Sequence, residues 1–315
     1  MSQLCTEFQT WVEEDIEKPI DVWVEKKVEQ CKKKKCRKWC LCCNKWFCWI
    51  QTIFVTVVRW IVVTVIKWVV RVVCEIVSVL LDAFAGIISL LFAIPILGRI
   101  LRQLWDAVID LIWRLIGIIG IILDLLGFDW EKKYRICIII LSDQNGGLTT
   151  RAALEPTIQS ATTTWKSAAN VRLIVEDVHT VEVADRRERN LDVECDTGAW
   201  TDDLLATGSN FELFANIYCF DGTGRRLIGW AAPVVVFVVR DVKGNYRGCS
   251  LGPFSDYVTI EAKDPACMAH ELGHAAYPWW HHSNPNNLMY HTCGGTQLKK
   301  WQKILIRDSR HVTYL

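Results

Sequence analysis

An excess of charge of either sign is what this sequence most clearly lacks. Its 315 residues carry 36 Lys and Arg against 35 Asp and Glu, a formal net charge of +1. That balance removes the electrostatic argument for a nucleic-acid binder, and no nucleic-acid partner is expected. Glycine (18) and proline (8) are too sparse for collagen-like or low-complexity sequence. No segment repeats at a fixed period. The start, Met1 to Cys5, has no basic stretch leading into an apolar core, so no secretory signal peptide is recognised, and Ser2 fits no myristoylation motif. Uninterrupted apolar runs are short as well. A spanning helix needs about 18 apolar residues with few charges. Within 49–128 the longest charge-free run is Ala83–Gly98, broken by Pro95.

Apolar residues are abundant (51%), which excludes a disordered chain, and Trp (16) and Cys (14) are both plentiful and unevenly placed. Three regions follow from composition, with the last boundary near Gly127–Trp130. Region 1–48 is basic and Cys-rich: Lys32–Lys35, Arg37 and Lys38 sit among Cys31, Cys36, Cys40, Cys42, Cys43 and Cys48. These cysteine spacings match no ordinary zinc site, and disulfides, metal binding, acylation or buried thiols all remain open. Region 49–128 is dominated by Ile, Val, Leu, Phe and Trp. Its polar residues Arg59, Lys67, Arg71, Glu75, Ser78 and Asp82 recur at intervals that a helix gathers on one side. The pattern resumes at Arg99, Arg102, Asp106, Asp110, Arg114 and Asp124. This predicts two amphipathic helices, about 49–93 and 99–126, with wide apolar faces that a lipid membrane or a homo-oligomer must cover. Trp46, Trp49, Trp60, Trp68, Trp105 and Trp113 with the basic run suit a membrane boundary. Region 129–315 alternates strands, turns and helices.

The chemistry is concentrated in Ala269-His270-Glu271-Leu272-Gly273-His274-Ala275-Ala276. An i, i+4 spacing puts both imidazoles on one helical face, where they can hold one zinc ion. Glu271 follows the first ligand and is placed to act as general base on a metal-activated water. Asp264 and Pro265 supply a helix start, and Tyr277-Pro278 a stop. A third ligand is available just beyond, in His281 or His282. Asn286-Asn287-Leu288-Met289-Tyr290 reads as a short turn presenting Met289.

On these residues the region from Trp130 to Leu315 resembles the metzincin clan of zinc endopeptidases. The resemblance implies an α+β fold, a twisted mixed sheet carrying a zinc helix. It also implies a Zn2+ cofactor on three histidines, Glu271 as the catalytic residue, and Met289 as an apolar floor under the metal. The implied element order is a strand at Tyr134–Leu141, a helix about Thr150–Ala169, and a strand at Val171–Val178. Strands at Phe214–Phe220, Val234–Val239 and about Val258 follow, then the zinc helix and a helix at Gln297–Arg307. By analogy the strand at 257–261 is the sheet edge that pairs with extended substrate. The chain departs from the clan at Tyr277, where glycine is usual, at Trp280, where the third histidine is usual, and at His291, where some members carry tyrosine. His281 is favoured as the third ligand for its eight-residue distance from Met289, with His282 the alternative. Cys137, Cys195, Cys219, Cys249, Cys267 and Cys293 are disulfide candidates. Cys267 with Cys293 comes first because they bracket the zinc helix and the Met-turn.

The sequence therefore reads as a membrane-associated zinc endopeptidase acting on protein or peptide. The alternatives are a structural or pore-forming membrane protein with a regulatory zinc domain, or a delivered toxin that combines both.

Overall fold

The computed structural model describes scattered helical positions within 21–29, 52–71 and 110–121, and most of 130–313. Positions 144, 184–190, 195–206, 221–228, 230–231, 245–246, 251–255 and 277–279 are outside the described residues. The Cys31–Cys48 cluster, the break at Pro95–Gly98 and positions 127–129 of the boundary at Gly127–Trp130 also lie outside them. The chain divides into two units, Met1–Ala85 (with Tyr314–Leu315) and Gly86–Thr313.

In the first unit the described residues are helical, and Arg59 forms an ion pair with Asp21. Ile53, Val57 and Trp60, spaced along one side of that helix, are exposed, Trp60 at 66%. No helix among the described residues is long and apolar enough to cross a membrane.

The second unit is mixed α and β around a seven-stranded mixed sheet, with a small two-stranded sheet beside it. Its strands and helices run β1 (Lys132–Asp143), β2 (Gly146–Gly147), α1 (Arg151–Ala169), β3 (Val171–Glu182), β4 (Asp192–Glu194) and α2 (Thr207–Tyr218). Then come β5 (Val234–Val239), β6 (Asp241–Lys243), β7 (Gly248–Ser250), β8 (Tyr257–Glu261), α3 (Met268–Ala276), α4 (Lys300–Arg307) and β9 (Val312–Thr313). β3, β1, β5 and β8 pair in parallel, and β7, antiparallel to β8, is the outermost strand on that side among the described residues. Short β2 and β9 flank the two ends of β1.

Strict alternation sorts the core. Ile136, Ile138 and Ile140 of β1, Val234, Val236 and Val238 of β5, and Val258 and Ile260 of β8 face α1, α3 and α4. Ile139, Leu141, Val235, Phe237, Val239 and Tyr257 face the other way, against Phe211 and Ala215 of α2. Sheets covered on both faces need such continuous β-branched runs. Each side chain so buried is worth about 1.5–3 kcal/mol.

The structure departs from the sequence expectations at two strands. Phe214–Phe220 lies largely in a helix, because Phe211 and Ala215, one turn apart, bury one α2 face and Cys219 is bridged to Cys137 of β1. The strand at 257–261 is interior, not the edge: it hydrogen-bonds to β5 on one side and β7 on the other, and all five residues are buried.

The C-terminal segment ties the unit together. The buried Arg307 guanidinium donates to the carbonyls of Ala169 (3.1 Å), Asn170 (3.2 Å) and Trp130 (2.8 Å). The upstream helical positions lie against the same segment. Asp110 and Trp113 are buried, Arg114 Nε donates to Asp110 Oδ2 at 2.7 Å, and a Cβ at Gly117 would come within 1.7 Å of Asp308 Oδ1. The charges that the sequence pattern assigned to a polar stripe are, at Asp110 and Arg114, paired with each other inside this unit.

Candidate metal centre

The segment that carries His270 and His274 folds in two steps. Asp264 Oδ1 accepts from Ala266 N (3.4 Å) and starts a 3-10 turn, Pro265–Cys267, which continues into α3. Every residue of α3 is buried, so its placement is fixed by the core. Tyr134 of β1 donates its hydroxyl to the Leu272 carbonyl at 2.8 Å and packs edge-on against Trp165.

The resulting geometry brings three imidazoles together. His274 Nε2 stands 3.1 Å from His270 Nε2 and 3.2 Å from His281 Nε2. Two ligands on a tetrahedral zinc, each about 2.0–2.1 Å from the metal, stand about 3.3–3.4 Å apart, so the donor set fits such an ion. The tautomer is set locally. His270 Nδ1–H donates to the Leu288 carbonyl at 2.7 Å, which leaves Nε2 with its lone pair toward the other rings. Burial pulls the His270 ring down to about 4. Burial first, and then the neighbouring imidazoles, pulls His274 down to about 3. His281 is lowered too, by burial and then by His291. All three rings are thus neutral at neutral pH, the form that binds metal.

His282 is directed elsewhere. Its Nδ1 accepts from Asn284 N at 3.0 Å, while its backbone N–H donates to the Met289 carbonyl at 2.7 Å. Met289 is fully buried, and its sulfur packs on α3 where a Cβ at Gly273 would come within 2.5 Å. The turn that presents it is held by side-chain amides. Asn287 Oδ1 accepts from Met289 N (3.0 Å) and from Gln302 Nε2 (3.1 Å), and Asn287 Nδ2 donates to Gln302 Oε1 (2.7 Å). Gly295 stands against the Asn287 carbonyl, where any side chain would collide with backbone. His291 stands with its ring 6.4 Å from that of His281.

Glu271 is buried, and burial pushes its carboxyl up to about 8. It lies between β7 and a disulfide. A Cβ at Gly248 of β7 would meet Glu271 Cγ at 2.6 Å and Oε1 at 2.8 Å. On the other side, the Cys267 and Cys293 sulfurs lie within 4.8 Å of its carboxylate and are joined in a disulfide. Cys249 of β7 is disulfide-bonded as well. Sequence reasoning missed Gly248, the Leu288 carbonyl and Gln302. Each acts through a contact between distant segments, and no local spacing marks it.

No family model matches the chain, and no curated protein matches it. Among solved structures, metalloproteinase-II from Bacteroides fragilis is similar over 56% of this chain and 53% of its own length, with a TM-score of 0.37 and 14% identity. A chaperone–substrate complex is similar over 56% of this chain and 38% of its own, with a TM-score of 0.37 and 11% identity. The chain thus spans about half of the metalloproteinase it resembles, and likeness at this level carries no argument.

Proposed function

We propose that region 129–315 is a zinc-dependent endopeptidase. The observation that carries this reading is the convergence of the His270, His274 and His281 Nε2 atoms, with a buried carboxylate, Glu271, one residue after the first imidazole on the same helix. Zinc, when bound there, supplies Lewis acidity toward water and the scissile carbonyl.

The protein's own groups do the rest. The three neutral imidazoles hold a cation without cancelling its charge. The Leu288 carbonyl orients His270, and Met289 with Gly273 gives the ring cluster an apolar floor. Glu271 takes a proton from the attacking water and hands it to the departing amine. Its low-polarity setting keeps its affinity for a proton high, and a nearby divalent cation offsets that and favours the carboxylate. Glu271 packs against Gly248 of β7, which fixes where its carboxyl group sits.

Association of region 49–126 with a membrane belongs to the same proposal. It is supported by the exposed Ile53, Val57 and Trp60 on one helix side and by the basic run at 32–38. Glu271→Gln tests the enzyme assignment. It should leave zinc content unchanged and lower proteolysis by about 10²–10⁴-fold. Unchanged proteolysis removes Glu271 as the base.

A further inference from the structure

Helix α3 and the turn before it carry two ligand pairs, not one. His270 and His274 are four residues apart, and so are Cys267 and Glu271, on the adjoining face. Each pair is completed by one residue from the segment that follows: His281 for the first, Cys293 for the second. The donor atoms of Cys267, Glu271 and Cys293 all lie within 4.8 Å of one another, as do those of the three histidines. Cys267 and Glu271 are buried and Cys293 is half-exposed, so a reductant or an ion reaches the cluster from the Cys293 side.

We propose that reduction of the Cys267–Cys293 disulfide converts Cys267, Glu271 and Cys293 into a second metal site, of the zinc class, that takes Glu271 out of catalysis. This rests on the assignment of Glu271 as the base. A dithiol supplies two electrons and two protons, the S–S bond breaks, and the reductant leaves as its own disulfide. The two sulfurs, no longer bonded, separate by ordinary repulsion to about 3.7 Å, which is the spacing of two thiolates about 2.3 Å from a tetrahedral zinc. On binding, both thiols release their protons to solvent. Two thiolates and one carboxylate make a soft, doubly anionic set plus a hard ligand, which suits zinc over magnesium or calcium. A carboxylate engaged with that ion is a far weaker base, because the cation favours its ionised form, and it no longer takes the proton of the attacking water. The disulfide is then an on-state, and thiol plus zinc an off-state.

Cobalt is the probe, because thiolate ligation adds a near-ultraviolet charge-transfer absorption that imidazole ligation lacks. Full-length wild type and Cys293→Ser are each treated with a dithiol, freed of it without air, and titrated with cobalt. Every other cysteine is common to both, so their contributions cancel. Wild type should take one more equivalent per chain, with the added absorption. Glu271→Gln should bind that equivalent at least tenfold more weakly and keep the histidine-bound one. Peptidase activity of reduced, zinc-saturated wild type should fall about 10²-fold or more and return on reoxidation. If Cys293→Ser loses the histidine-bound equivalent through misfolding, Cys267→Ser gives the same comparison. Equal uptake and equal absorption in wild type and the serine variant overturn the inference. Failure of the oxidised protein to bind metal at the histidines would instead overturn the enzyme assignment.

Discussion

Substituting Gly248 with alanine separates metal binding from catalysis. The added methyl would stand 2.6 Å from Glu271 Cγ, 2.8 Å from Oε1 and 2.9 Å from Cδ. Ordinary contact between such atoms begins near about 3.5 Å, so one partner must move by roughly 1 Å. The strand is the less free of the two, since Gly248 is paired with Ile260 in the β7–β8 ladder. Glu271 therefore shifts. A displacement of about 1 Å in a reacting group costs about 10²-fold in rate, or roughly 2.7 kcal/mol of transition-state stabilisation. Overpacking should cost about 1–3 kcal/mol of stability. None of the three histidines is touched, so zinc per chain should match wild type. The assay is zinc content beside kcat/KM on an unfolded protein substrate. A variant that holds its zinc and cleaves within about threefold of wild type would refute the placement of Glu271 as the base beside β7.

Two further outcomes follow from the same geometry. The Cys267–Cys293 bridge spans 26 residues, and closing a loop of that size removes about 3.5 kcal/mol worth of chain entropy from the unfolded state. Replacing both cysteines with serine should lower unfolding stability by about that much in denaturant titrations, and a change below about 1 kcal/mol would contradict it. His311 is buried, with Arg310 Nε 3.2 Å from its Nε2, and burial, followed by Arg310, pulls its ring down to about 3. The unfolded chain thus takes up the proton first. Stability from neutral His311 is complete above about pH 6.5 and is lost at about 1.4 kcal/mol per pH unit as pH falls toward 3. Between pH 6.5 and 5, wild type should lose about 2 kcal/mol more than His311→Gln. Parallel pH curves for the two would contradict the burial of a neutral ring.

How much could be read in advance depended on how local the determinant was. The His270–His274 pairing and the neighbouring base need only one helical turn, and their spacing states them. The β-branched runs at 134–141 and 234–239 are buried on both faces, so their strands were legible too. The segment Phe214–Phe220 was not, because its aromatic and β-branched residues satisfy a strand's preferences while tertiary burial of Phe211 and Ala215 selects the helix. Which strand lies at the edge depends on pairing order, which residue pattern does not encode when β8 is apolar throughout. The choice between His281 and His282 turns on a distant contact. The pairing of His282 N with the Met289 carbonyl faces one neighbouring ring toward α3 and lets the other cap Asn284. Gly248 carried no signal, since its importance comes from a carboxylate 23 positions away in the chain.

Zinc analysis of the full-length chain tests the central claim most directly, with wild type set beside His281→Ala and His282→Ala after dialysis against limiting zinc under oxidising conditions. We expect wild type and His282→Ala to retain the same metal and His281→Ala to lose one equivalent, because removing one of three imidazoles leaves a two-ligand site. Wild type that takes up no zinc, or a His281→Ala variant that holds as much as wild type, would contradict the account.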